Sequence, residues 1–295
     1  MKIASIATAA GPRPAIVRDD RIIPVASGWN GPSGPPESVL NIITGSGTME
    51  AVRLHVETAD PNLWRPLHEA TLLAPIPRPV KNVFCVGRNY RKHIEEGARA
   101  RGVEASYPTV PEFFTKPPTA VIGPGADIRL SPVTSKLDYE VELAFIVGRT
   151  ARDIAAADAL DHIFGFTVLN DVTARDLQRD HGQWFKGKAL DTSCPIGPWI
   201  VTSDEFDLGA EHRLWLTVNG EERQNSVIAD MVFDCARILE SLSAGMTVEA
   251  GDIVATGTPS GVGLGLEPQV WLKAGDEIEA GITGIGSIKN RIVAG

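Results

Sequence analysis

Residues 139–147 read Tyr-Glu-Val-Glu-Leu-Ala-Phe-Ile-Val, and no other stretch constrains the chain as much. Strict alternation puts Glu140, Glu142, Ala144 and Ile146 on one face of a strand and Val141, Leu143, Phe145 and Val147 on the other. Two carboxylates at i and i+2 then share a face, with backbones roughly 7 Å apart. The apolar residues that follow carry the strand into a core, where like charges are costly unless a cation or a base lies between them. A third carboxylate, Asp171, ends the next strand-like run at 166–170. Three carboxylates without a neighbouring Cys or His suit a hard divalent ion, Mg²⁺ or Mn²⁺, better than zinc. The spacing fits a solvated strand face equally well, because surface glutamate is common.

Composition narrows the classes around this strand. The 29 glycines and 21 prolines in 295 residues favour a mainly β, α+β fold over a helical bundle. A net charge of −9 argues against nucleic-acid or anionic-membrane partners, which call for a basic face. Cys85, Cys194 and Cys235 are widely spaced and form no metal-ligand pattern, so free thiols in a reducing, cytoplasmic setting are expected. No apolar run approaches a membrane span, and the start of the chain reads as a first strand rather than a signal peptide.

Two units are expected. Residues 1–72 read as a small β-rich N-terminal domain with a helix over 37–43. Three prolines at alternate positions in 74–79 favour an extended linker, and 73–295 form the catalytic domain. Within it we expect a strand at 83–87, a helical stretch to Glu96, a helix over 155–164 stopped by Gly165, a helix over 229–244 with Gly245 as C-cap, and a strand at 253–256.

Several residues carry possible chemistry. His93 and Glu96 stack on one helical face, the pairing that makes an imidazole a general base, although exposed His–Glu contacts of this kind are common. Arg175 and Gln178 also lie three apart, while Lys186 and Lys188 flank a glycine that would let backbone approach a ligand. Basic groups beside an acidic cluster point either to an anionic substrate bridging metal and lysine or to surface ion pairs. The glycine-rich loop 257–265 lacks the pattern of a nucleotide cradle, but its amides and Thr258 could hold a carboxylate or oxyanion.

Taken together, Val86-Gly-Arg-Asn-Tyr90 with His93, Phe114-Thr-Lys-Pro-Pro-Thr119, Leu137-Asp-Tyr-Glu-Val-Glu-Leu143, Asn170-Asp-Val-Thr-Ala-Arg-Asp-Leu-Gln178, Lys188 with Asp191-Thr-Ser-Cys-Pro195, and Thr256-Gly-Thr-Pro-Ser-Gly-Val-Gly263 resemble the fumarylacetoacetate hydrolase family, in family order across about 83–290. The resemblance implies a mixed β-roll-like catalytic domain, usually a homodimer, with one Mg²⁺ or Mn²⁺ per subunit on Glu140, Glu142 and Asp171. It implies small anionic 2-oxo acid substrates, and it carries the family's dyad onto His93 and Glu96 and its active-site lysine onto Lys188. Substrate contacts are implied at Arg88, Tyr90, Lys116, Arg175, Gln178, Thr192 and Thr258. Residues 1–72 resemble only a variable N-terminal extension, and 98–110 exceed the lid of the shortest members.

The activity so implied is metal-dependent hydrolysis of a C–C bond in a β-diketo acid, such as an acylpyruvate, fumarylpyruvate or diketo-deoxy sugar acid. The metal would polarise the 2-oxo group, Lys188 would supply positive charge or a proton, and His93 would deprotonate water. Decarboxylation of oxaloacetate-like acids or isomerisation of hydroxy-dienedioates on the same site is the alternative. A binding module that had lost the chemistry should lack one of Glu140, Glu142, Asp171, His93 or Lys188, and all five are present.

Overall fold

The computed structural model describes all 295 residues and is mainly β-sheet. A large mixed sheet runs through the molecule. At its centre the strand Val141–Val147 pairs antiparallel with Ile163–Asn170 on one side and with Ile253–Ala255 on the other. Ile253–Ala255 pairs in parallel with Val83–Gly87, which is followed in the sheet by Glu112–Lys116. On the opposite side Ile163–Asn170 pairs with Cys194–Thr202. That strand pairs with Lys2–Thr8, so residues of 1–72 extend the same sheet. A second, five-stranded sheet is built from Arg213–Val218, Glu221–Val227, Glu277–Ile282, Gly286–Ala294 and Ile128–Leu130.

The alternation read at 139–147 is realised on two faces. Val141, Leu143, Phe145 and Val147 enter the core between the two sheets, with Leu214, Leu216, Ile278 and Ile288. Ala144 and Ile146 enter a second core, with Val39, Ile42 and Val52 from the helices Val39–Thr44 and Thr48–Thr58. Both faces of the strand are therefore dry, and its first residues can be polar only where something balances them.

Three helix expectations need correction. Residues 155–164 do not form an α-helix: a short 3₁₀ turn, Ala159–His162, leads directly into the strand Ile163–Asn170. Pairing of Ile163 with Val147 takes the end of that segment into the sheet, so tertiary pairing overrides a weak local preference. The helix expected over 229–244 is shorter, Cys235–Ser243, because Asp234 caps it by accepting from the Arg237 amide at 2.8 Å. The first helix begins at Val39, where Ser38 caps the Asn41 amide at 3.1 Å. The stretch after Tyr90 is a full helix, Arg91–Arg101. No helix is long and apolar enough to cross a membrane.

Candidate metal centre and active site

Register brings the carboxylates together. Val141 pairs with Asn170, so Glu140 lies across from Asp171, and the Asp171 amide donates to the Glu140 carbonyl at 2.8 Å. The Asn170 side chain closes the corner by accepting from the Glu140 amide at 3.0 Å. Glu142 is one pleat further along. Carboxylate oxygens of Glu140, Glu142 and Asp171 all lie within 4.8 Å of one another, and all three residues are buried.

Cations balance this cluster unevenly. Lys188 Nζ donates to Glu140 Oε2 and to Asp171 Oδ2, each at 2.6 Å. Lys116 Nζ donates to Asp171 Oδ1 at 2.7 Å. Arg175 spans Asp138 at 2.8 Å and Glu140 at 2.6 Å. Glu142 receives only the Gly257 amide, at 2.8 Å, and pairs with no cation. Burial would raise the Glu140 carboxyl, but Lys188 and Arg175 hold it well below the usual range. Burial pushes Glu142 well up instead, and the negative charges of Asp171 and Glu140 add to that. Burial opposes the charge of Lys188, yet Asp171 and Glu140 keep it a firm cation, a donor and not a base.

This donor set fits a divalent cation. Three oxygen ligands converge, one of them lacks a countercharge, and no soft ligand intrudes. Asp138, Glu140, Glu142 and Asp171 face Lys116, Arg175 and Lys188, four carboxyl groups against three cations. A divalent ion would turn the centre net positive, which favours an anionic ligand.

The loop 257–265 supplies the remaining framework. After the strand Ile253–Ala255, Thr256 hydrogen-bonds Leu143 and Gly257 turns with φ +98, where a side chain would also strike Asn89. Its amides do cradle carboxylates, but those of the protein itself. Gly257 holds Glu142, Gly261 holds Glu96 at 2.9 Å, and Gly263 and Leu264 hold Asp138 at 2.7 and 3.1 Å. Thr258 is tied to the Val141 carbonyl and to Gln224.

His93 and Glu96 come together on Arg91–Arg101, with His93 Nδ1 3.3 Å from Glu96 Oε2. Glu96 is fixed by the Gly261 amide and packs so closely on Gly265 that a Cβ there would lie 2.1 Å from its carboxyl carbon. With the proton held on Nδ1 by Glu96, Nε2 carries the lone pair. A cavity of about 280 Å³ joins His93 to Glu140, Glu142 and Lys188, and Arg88, Arg175, Gln178 and Thr258 also line it.

Three expected substrate contacts lie elsewhere. Lys116 is fully buried and spends its ammonium on Asp171 and the Val172 carbonyl. Tyr90 is buried just before the helix Arg91–Arg101. Thr192 adopts φ +63 and accepts from the Arg129 amide. Lys186 is exposed, and Gly187 serves packing rather than a ligand: a Cβ there would meet Gln178 and Ala174 backbone at 2.5 and 2.6 Å. Sequence reasoning missed Asp138, the buried partner of Arg175, although it stands at i−2 from Glu140 on the same alternation. It also missed the aromatic walls Phe114, Trp184 and Trp271.

Residues 82–293 match the fumarylacetoacetate (FAA) hydrolase C-terminal family. The chain belongs to this family of enzymes. It is 48% identical over 227 residues to oxaloacetate tautomerase YisK of Bacillus subtilis, covering 77% of this chain and 74% of that protein. The fumarylacetoacetate hydrolase EaFAH of Exiguobacterium antarcticum superposes over both whole chains with a TM-score of 0.81 at 39% identity. Maleylpyruvate hydrolase of Sphingobium sp. SYK-6, solved with manganese(II) and pyruvate, superposes over both whole chains with a TM-score of 0.79 at 32% identity.

Proposed function

We propose that this protein is a divalent-metal-dependent tautomerase of 2-oxo acids, interconverting the keto and enol forms of an oxaloacetate-like diacid. The observation that carries the reading is the opening of an oriented base, His93 on Glu96, onto the same cavity as the Glu140–Glu142–Asp171 centre. The likeness to a tautomerase at 48% identity supports that reaction over the hydrolysis expected from the motifs.

A bound Mg²⁺ or Mn²⁺ would supply Lewis-acid polarisation of the 2-oxo carboxylate. The protein's own groups do the rest. Arg175, buried between Asp138 and Glu140, and Gln178, which accepts from it at 3.2 Å, form a fixed wall against the substrate's carboxylate end. Lys188 presents a permanent positive charge where negative charge develops on the oxygen. His93 Nε2 takes the proton from the carbon next to the ketone and, as the imidazolium, gives it to the enolate oxygen, the reverse sequence running from enol to keto, while Glu96 holds the ring and offsets the imidazolium charge. The helix Arg91–Arg101 and the loop 257–265 are joined through Glu96, which accepts from the Gly261 amide and so fixes the dyad beside the cavity.

Hydrolytic C–C cleavage is a second reading. The dyad could direct a water as readily as a carbon-bound proton, and the manganese-bound relative is a hydrolase. The decisive experiment follows the ultraviolet decay of enol-oxaloacetate with Mg²⁺ or Mn²⁺, beside pyruvate release from acylpyruvates. Faster enol decay without acylpyruvate cleavage supports tautomerisation; the reverse pattern supports hydrolysis. Neither activity would overturn both.

A further inference from the structure

We propose that Lys136, seated on Trp271, is the specificity residue for the far carboxylate of the substrate and selects 2-oxo diacids over 2-oxo acids with an uncharged end; this rests on the tautomerase reading. The protein is acidic overall, yet the cavity is not. Arg88, Arg101, Lys136, Arg175, Arg179 and Lys188 line it, against Glu140 and Glu142. Most of these cations are already matched. Arg175 and Lys188 are bound to the buried carboxylates, Arg88 to Glu112 and Arg179 to Asp180. Arg101 is exposed at the end of the helix Arg91–Arg101. Lys136 is half-buried, and its ammonium lies over the Trp271 ring and forms none of the ion pairs that occupy its neighbours.

A loose surface lysine would not be held as this one is. The Lys136 amide donates to Thr134 Oγ1 at 3.1 Å, and the Thr134 hydroxyl donates to Asp176 at 2.5 Å. The Lys136 carbonyl accepts from the Arg175 amide at 2.9 Å, which ties its position to the wall beside the metal centre. On the other flank the Leu272 amide donates to the Leu137 carbonyl at 2.9 Å, setting Trp271 next to Lys136. The ammonium lies 5.7 Å from the Trp271 ring, a contact that holds the charge in place without neutralising it. A ligand carboxylate reaching this wall would meet a positioned and unspent cation.

The experiment compares ligands of equal carbon-chain length that differ only at the far end. Affinities of the Mg²⁺-loaded protein for 2-oxoglutarate and for 2-oxopentanoate are measured by calorimetry, with kcat/KM for oxaloacetate alongside. The wild type should prefer the diacid, and Lys136→Met should shrink the diacid-to-monoacid ratio by about 10- to 100-fold, the worth of a charged hydrogen bond. Lys136→Arg should restore most of it. A merely structural role would weaken both ligands together, and that result, or no preference in the wild type, would overturn the proposal. Absence of oxaloacetate turnover with the binding ratio intact would overturn the tautomerase reading and leave the diacid seat standing.

Discussion

Lys188 lies 2.6 Å from Glu140, and the same ammonium reaches Asp171 at 2.6 Å, so one cation clamps two of the three converging carboxylates and leaves Glu142 with a backbone amide and no cation. The asymmetry makes Glu142 the residue on which metal binding turns. Glu142→Ala should keep the fold, because the packing of its strand rests on Val141, Leu143 and Phe145. It should lose the rise in melting temperature that Mg²⁺ or Mn²⁺ gives the wild type. An undiminished rise in the variant would remove Glu142 from the metal site.

The same asymmetry sets a pH dependence. In the metal-free protein Glu142 titrates well above its ordinary 4.5, so between that value and its raised one the folded state binds the extra proton. Stability of the metal-free protein should therefore fall as pH rises through this window. Glu140 works in the opposite sense: its depressed value adds stability that is present above the ordinary carboxylate range and lost as pH drops below it. Added Mg²⁺ should stabilise more at higher pH, since it binds the ionised Glu142. Urea midpoints across pH, with and without Mg²⁺, test this; a metal effect independent of pH would contradict it.

The structure also explains how much could be read beforehand. The strand 141–147, with Glu142 in it and Glu140 just before it, was legible because alternation is a backbone property, and both faces proved buried. The His93–Glu96 pairing was legible from helical spacing. What failed was long-range: nothing in the local sequence shows that Val147 pairs with Ile163 and so dissolves the helix expected at 155–164. Lys116 was placed against substrate, but the sheet carries it under Asp171, where its charge is used up. The loop 257–265 has the chemistry expected of it, directed at Glu142, Glu96 and Asp138 rather than at a ligand.

Asp138 should be costly to lose. It holds Arg175 and the amides of Gly263 and Leu264 from a fully buried position. Asp138→Ala leaves the buried Arg175 guanidinium on Glu140 alone and orphans the two loop amides, a loss bounded above by the about 3–5 kcal/mol of breaking a buried pair outright. Denaturant unfolding measures it, and a loss below about 1 kcal/mol would mean that Glu140 alone suffices to hold Arg175.

Gly265 offers a way to disturb the dyad without touching it. A methyl group at 265 would collide with the Glu96 carboxyl, so Gly265→Ala should turn Glu96 away from His93 and lower kcat. The metal-dependent melting shift should persist, because no ligand of the centre moves. Unchanged kcat would show that the Glu96 orientation is not required.

The central claim is that His93 moves a proton at the carbon next to the ketone. Deuterium incorporation at C3 of oxaloacetate in D₂O, followed by proton NMR with Mg²⁺ present, tests it most directly. The wild type should exchange that position well above the buffer rate, and His93→Ala should exchange it about 10²–10⁴-fold more slowly. Metal-dependent stabilisation should remain in the variant. Exchange at the buffer rate in the wild type, together with pyruvate release from acylpyruvates, would contradict the claim and assign His93 to water instead.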